Sequence, residues 1–105
     1  MSPAPSASVF AALGDPTRLG LVARLCAGGP LSIARLTEGT EVTRQAVTKH
    51  LHVLEEAGVV RGLRQGRQSV WALETRKLEA ARRALEQMSQ RWDAALSRLK
   101  AAVEE

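Results

Sequence analysis

Residues 42–60 read VTRQAVTKHLHVLEEAGVV, and their spacing decides the fold. Thr43 is a helix-start residue, able to accept a hydrogen bond from the free N–H groups of a first turn. Gly58 stands where a helix ends on a residue of left-handed conformation. Between them the spacing predicts a helix over about 44–57. On a wheel of about 100° per residue with Val47 at 0°, Leu51 falls at roughly 40° and Leu54 at roughly −20°. These three share an inward face. Gln45, Lys49 and His52 fall between about 140° and 200°, with Arg44 and Thr48 on one shoulder at roughly 60° and 100°. No acid interrupts the outward side before Glu55.

That outward side has the chemistry of a base reader. Arginine bonds guanine bidentately, glutamine bonds adenine, and threonine offers a hydroxyl and a methyl group. The N-terminal part of a recognition helix, where these residues stand, reads bases and attracts phosphate. A solvated face on an ordinary amphipathic helix would look similar, so the neighbourhood decides. Upstream, Ser32 caps a short helix carrying Ile33 and Leu36 that ends at Gly39. Only a few residues separate it from Thr43, a helix–turn–helix spacing. Downstream, Val59–Leu63 and Ser69–Leu73 are β-prone around the turn Gln65-Gly66-Arg67, which predicts a hairpin over about 59–73. A lone hairpin is marginal in water and must pack on the helices. It adds Arg61, Arg64 and Arg67. Arg67, at the tip, suits a minor groove or a phosphate, whereas Arg61 suits a solubilising edge charge.

Further out, Val9, Phe10 and Leu13 share one face of a first helix that Gly14 ends. Asp15-Pro16 starts a second, over about 16–27, and apolar residues, Cys26 among them, surround much of it, so it should be buried. Residues 1–7, rich in Pro, Ser and Ala, read as a flexible tail, leaving 8–105 as the domain. From about Glu74 the chain runs to its end without Gly or Pro, one long helix. The fold class is therefore mainly α with a small β-hairpin: a winged helix-turn-helix with a long C-terminal helix.

Composition agrees. The 105 residues suit one domain, and scarce aromatics suit a Leu/Val/Ala core between helices. Of the net charge of +4, an excess of three falls between Thr43 and Gln68: Arg44, Lys49, Arg61, Arg64 and Arg67 against Glu55 and Glu56. A basic excess placed there fits duplex DNA. One cysteine builds no disulfide framework, no apolar run spans a membrane, and no signal peptide opens the chain, so the expected compartment is cytoplasmic with no membrane partner. His50 and His52 lie about 200° apart on their helix, so one metal ion cannot bridge them. His50 reads as a packed, hydrogen-bonded residue and His52 as a DNA contact. No Walker loop, nucleophile elbow or metalloprotease motif occurs, and the chain reads as no enzyme.

Together FAALGDPTRLGLVARL, VTRQAVTKHLHVLEEAGVV and RQGRQSVWAL resemble the ArsR-type, or arsenic-repressor-like, winged-helix regulators. The resemblance implies a homodimeric repressor whose recognition helices enter successive major grooves. By motif position it makes Thr43, Arg44, Gln45, Thr48 and Lys49 the DNA-reading residues and Arg67 the wing contact; His52 and Arg64 join them from the wheel and the hairpin. The sequence departs from the metal-sensing branch. Ser32 and Ala34 stand where that branch has a Cys-x-Cys pair, and no His follows His52, so no metal or cofactor is expected. The last helix is similar to a branch with a Trp there, members of which often lack a recognised inducer, and the sequence names none.

Leu78, Ala81, Leu85, Met88, Trp92, Ala95, Leu99 and Ala102 alternate spacings of three and four along the last helix, widened by Leu96 and Val103. A helix of roughly 40 Å is longer than the other elements can cover, so the stripe calls for a second chain. The expected dimer interface comprises Leu78, Leu85, Met88, Trp92, Leu96 and Leu99 with Val9 and Phe10 of the first helix. A twofold pair would set two recognition helices about 34 Å apart on a palindromic operator. The competing readings are a metal- or thiol-responsive repressor and a winged-helix module that binds protein instead of DNA.

Overall fold

The computed structural model describes residues 5–104. Its elements are α1 (Pro5–Leu13), α2 (Pro16–Gly28), β1 (Leu31–Ser32), α3 (Ile33–Thr37), α4 (Arg44–Glu56), β2 (Val60–Gln65), β3 (Gln68–Leu73) and α5 (Thr75–Glu104). The three strands form one antiparallel sheet in the order β1-β3-β2. This is the winged helix-turn-helix that the sequence predicts, with one strand more. Two residues are too few to show alternation, so β1 leaves no periodic signal. It nevertheless sets β3 in the middle of the sheet, paired on both sides.

Local chemistry fixes the boundaries. Asp15 accepts from the Arg18 amide at 3.0 Å and Pro16 opens α2. The Ser32 hydroxyl accepts from the Arg35 amide at 3.2 Å and starts α3. Helix α4 ends in a Schellman motif: Gly58, at φ 77°, donates to the Glu55 carbonyl and Val59 to the Leu54 carbonyl, both at 2.9 Å. Leu54 and Val59, the apolar pair that accompanies this motif, are both fully buried. A side chain at Gly58 would also run into the Lys77 stem.

The core is Leu and Val from all the helices and the base of the sheet, centred on Leu21, Leu25, Leu36, Val47, Leu51, Leu54 and Val59. Three expectations change. Helix α1 begins at Pro5, so residues 5–7 are helical; the rest of the expected tail, residues 1–4, lies outside the described residues. Helix α2 is buried on one side only: Leu21, Val22 and Leu25 face inward, while Cys26 is exposed and Leu19 is 53% exposed. A helix laid on the outside of a small domain has neighbours on one face, whatever its outer residues are. Val9 is fully buried in the chain's own core, so it is not open to a partner, and Phe10 is partly buried against that core.

Candidate nucleic-acid interface

The buried Val47, Leu51 and Leu54 fix the roll of α4 and so decide which side chains point away. Gln45, Lys49 and His52, opposite the inward trio, are exposed; of the two shoulder residues Thr48 is half-buried and Arg44, the first residue of α4, is exposed. Thr43 is exposed, but its hydroxyl is engaged as the cap, accepting from the Ala46 amide at 3.1 Å. The Thr48 hydroxyl donates to the Arg44 carbonyl at 2.9 Å, which leaves its methyl group and oxygen lone pairs for a ligand.

The wing is a tight hairpin. Gln65 pairs with Gln68, so only Gly66 and Arg67 form the loop. Gly66 at φ 62° followed by a residue of negative φ is the sign pattern of a type II′ turn, whose twist matches the strands. Arg64 and Arg67 are exposed at this end. Among the described residues, Arg44, Lys49, Arg64 and Arg67 make no ion pair. Arg61 differs: it lies 3.8 Å from Glu74 at the base of the wing, in keeping with the bland role expected of it.

Three side chains that hold this surface carried no sequence signal for doing so. Arg24 on α2 donates to the carbonyls of Leu36 at 2.7 Å and Glu38 at 2.9 Å and also reaches Arg35, tying down the end of α3 and the turn before α4. Arg18 donates to the Ala12 carbonyl at 2.6 Å and to His50 Nδ1 at 3.3 Å, joining α1, α2 and the back of α4. A guanidinium only donates, so Nδ1 of His50 is the accepting nitrogen. Asp15 lies 3.9 Å from the same ring. The Arg18 amide at the helix start, with His50 and the Arg18 charge nearby, holds the Asp15 carboxyl below the usual carboxylate range. Third, Trp71 on β3 meets His52 edge-on, ring centroids 5.8 Å apart and planes at 83°.

Beyond Ala81, which is buried, α5 leaves the body of the domain. Leu85, Met88, Trp92, Leu96, Leu99 and Val103 stand more than half open to solvent along one side, Trp92 at 66%. On the polar side Arg82 bridges Glu79 and Glu86, and the Arg82 guanidinium draws the Glu79 carboxyl below its ordinary range. Leu78, at the root of the helix, packs on the chain's own core.

Residues 13–62 match a model of the helix-turn-helix domain. The solved structure of an ArsR-like transcriptional regulator from Rhodococcus sp. RHA1 superposes with a TM-score of 0.73 at 35% identity, over 91% of this chain and 90% of that one. The chain belongs to the ArsR-like family of helix-turn-helix transcriptional regulators. Among helix-turn-helix relatives, it is 38% identical to the HTH-type transcriptional regulator Rv2034 of Mycobacterium tuberculosis over 86 residues, 82% of this chain and 77% of that protein. It is 29% identical to the transcriptional repressor SdpR of Bacillus subtilis over 72 residues, 69% of this chain and 79% of that one. An ArsR-like regulator is a transcription factor and not an enzyme. Ser32 serves as the α3 cap. Among the described residues no group of three His, Cys, Asp or Glu side chains is placed to hold a metal ion. Nor, among those residues, is any helix long and apolar enough to cross a membrane.

Proposed function

We propose that this ArsR-like regulator is a homodimeric repressor that reads a palindromic DNA operator, with α4 in the major groove and the wing on the backbone or minor groove. The observation that carries the reading is the set of unpaired cations. Among the described residues Arg44 and Lys49 on α4 and Arg64 and Arg67 on the wing are exposed and make no ion pair, which leaves them open to an external anion. A surface built to bind protein would not need them. Arg44, Gln45, Thr48 and His52 read base edges; Lys49, Arg64 and Arg67 hold phosphates, with the α4 N-terminus at Thr43 favouring negative charge beside them. The open stripe of α5, from Leu85 to Val103, supports pairing of two chains. Repression is the outcome named for the SdpR relative.

The test is duplex binding measured against salt. Three phosphate contacts per protomer make about six per dimer, and the log–log slope of affinity against salt should be about −5. Fluorescence anisotropy with operator fragments recovered by affinity selection from genomic DNA measures it. A flat salt response would leave the protein-binding reading in its place.

A further inference from the structure

His52 is the residue of the reading face farthest along α4, and it is 60% exposed at its side chain. An exposed imidazole with no neighbours samples several rotamers. This one has two neighbours from different elements. Its Nδ1 lies 3.4 Å from Oε1 of Glu55, one turn on, and its ring meets the indole of Trp71 edge-on. A carboxylate accepts, so Nδ1 carries the hydrogen in that contact. Among the described residues Nε2 has no partner.

Trp71 is unusually well anchored. It belongs to the central strand, paired with Leu31 of β1 on one side and Gly62 of β2 on the other, and its ring packs on the core. We propose that Trp71 is a positioning residue for operator discrimination: from the wing, it holds the His52 imidazole in the orientation in which Nε2 meets a base edge. A phosphate contact tolerates a mobile side chain, because charge acts in every orientation. A base contact does not, because hydrogen-bond geometry carries the discrimination. This inference rests on α4 being the DNA reader.

The test compares binding of the full-length protein to a selected operator and to a scrambled duplex of equal length. His52→Ala and Trp71→Leu should each lower the operator-to-scrambled ratio by about three- to tenfold, the size expected for an aromatic edge contact. Affinity for the scrambled duplex should stay within about twofold. The double variant should be no worse than either single, since both act on one contact. Trp71→Phe, which keeps an aromatic ring, should retain most of the ratio. Because Trp71 also packs on the core, 19F NMR of protein carrying 5-fluorotryptophan supplies a second readout that needs no Trp71 variant. The Trp71 resonance should respond differently to operator and to scrambled duplex, and His52→Ala should abolish the difference. An unchanged ratio in folded Trp71→Leu, additive losses in the double variant, or identical Trp71 responses to the two duplexes would overturn the proposal. Loss of salt-dependent duplex binding by the wild-type protein would sink the DNA-reading role as well; an intact wild-type preference with any of those three results sinks this inference alone.

Discussion

Replacing Trp92 by glutamate tests the α5 seam at its centre. A tryptophan presents up to about 250 Å² of surface, and 66% of Trp92 is open in the single chain. That leaves about 165 Å² for a partner to cover. If the second chain covers half, the lost burial is about 2 kcal/mol per protomer at about 25 cal/mol per Å², or about 4 kcal/mol per dimer. The dimer dissociation constant should rise about a thousandfold from that source alone. A carboxylate placed in an apolar seam raises it further. Because Trp92 touches nothing in its own domain core, the helical signal of the body and its unfolding transition should change little at concentrations where both proteins are monomeric. Sedimentation equilibrium over a wide concentration range reads the constant directly. Operator affinity should fall with it, since one recognition helix holds only half of a palindrome. A variant that dimerises as tightly as the wild type would refute the reasoning and move the interface off the Leu85–Val103 stripe.

The remaining expectations concern the reading face and its supports. Arg67→Ala should weaken binding to every duplex and flatten the salt slope by about 2 per dimer, whereas Arg44→Ala or Gln45→Ala should relax operator preference; binding to a randomised operator library separates the two effects. Gly58→Ala forces a side chain into φ 77° and against the Lys77 stem, and should cost about 1–2 kcal/mol by urea denaturation, with Lys77→Ala restoring only the steric share. The Asp15 carboxyl is held below its ordinary value of 3.8, so its contribution to stability is complete above that value and is lost as pH falls through the lower, folded one. Asp15→Asn keeps an accepting oxygen but no charge, and its melting temperature should fall less steeply below pH 4 than that of the wild type.

What the sequence made legible was local. The Thr43 cap, the Gly58 stop and the inward trio Val47, Leu51 and Leu54 depend on residues within a turn or two of one another, and so does the exposure of Arg44, Gln45, Lys49 and His52. What it hid depends on chain segments meeting. Apolar residues around much of α2 suggested a buried helix, but Leu19 and Cys26 are exposed. Val9 was apolar and on the first helix, and whether it faced a partner or its own core turned on where α5 began to leave the body. Arg24 reaches carbonyls 11 to 14 residues away, and Arg18 reaches a ring 32 residues away. Sequence spacing contains no signal for such pairs, because the distance between them is set only when the helices pack.

Those long-range arginines bear directly on how the reading face works. A recognition helix must withstand the pull of phosphates without rolling, yet its outward side can make no contacts that would cover it. The restraint therefore has to come from behind and from the ends. Val47, Leu51 and Leu54 supply the apolar part of it, and Arg18 on His50 supplies a polar stop on the same side. Arg24 secures the turn that delivers the chain to Thr43. Arg18 and Arg24 are thus engaged inside the fold, behind and before a helix whose own Arg44 and Lys49 make no ion pair among the described residues. Truncating Arg24 should consequently act unlike truncating Arg44: it loosens the angle at which the whole helix is presented, so operator and scrambled duplex should both lose affinity while the preference between them narrows without shifting to a new sequence.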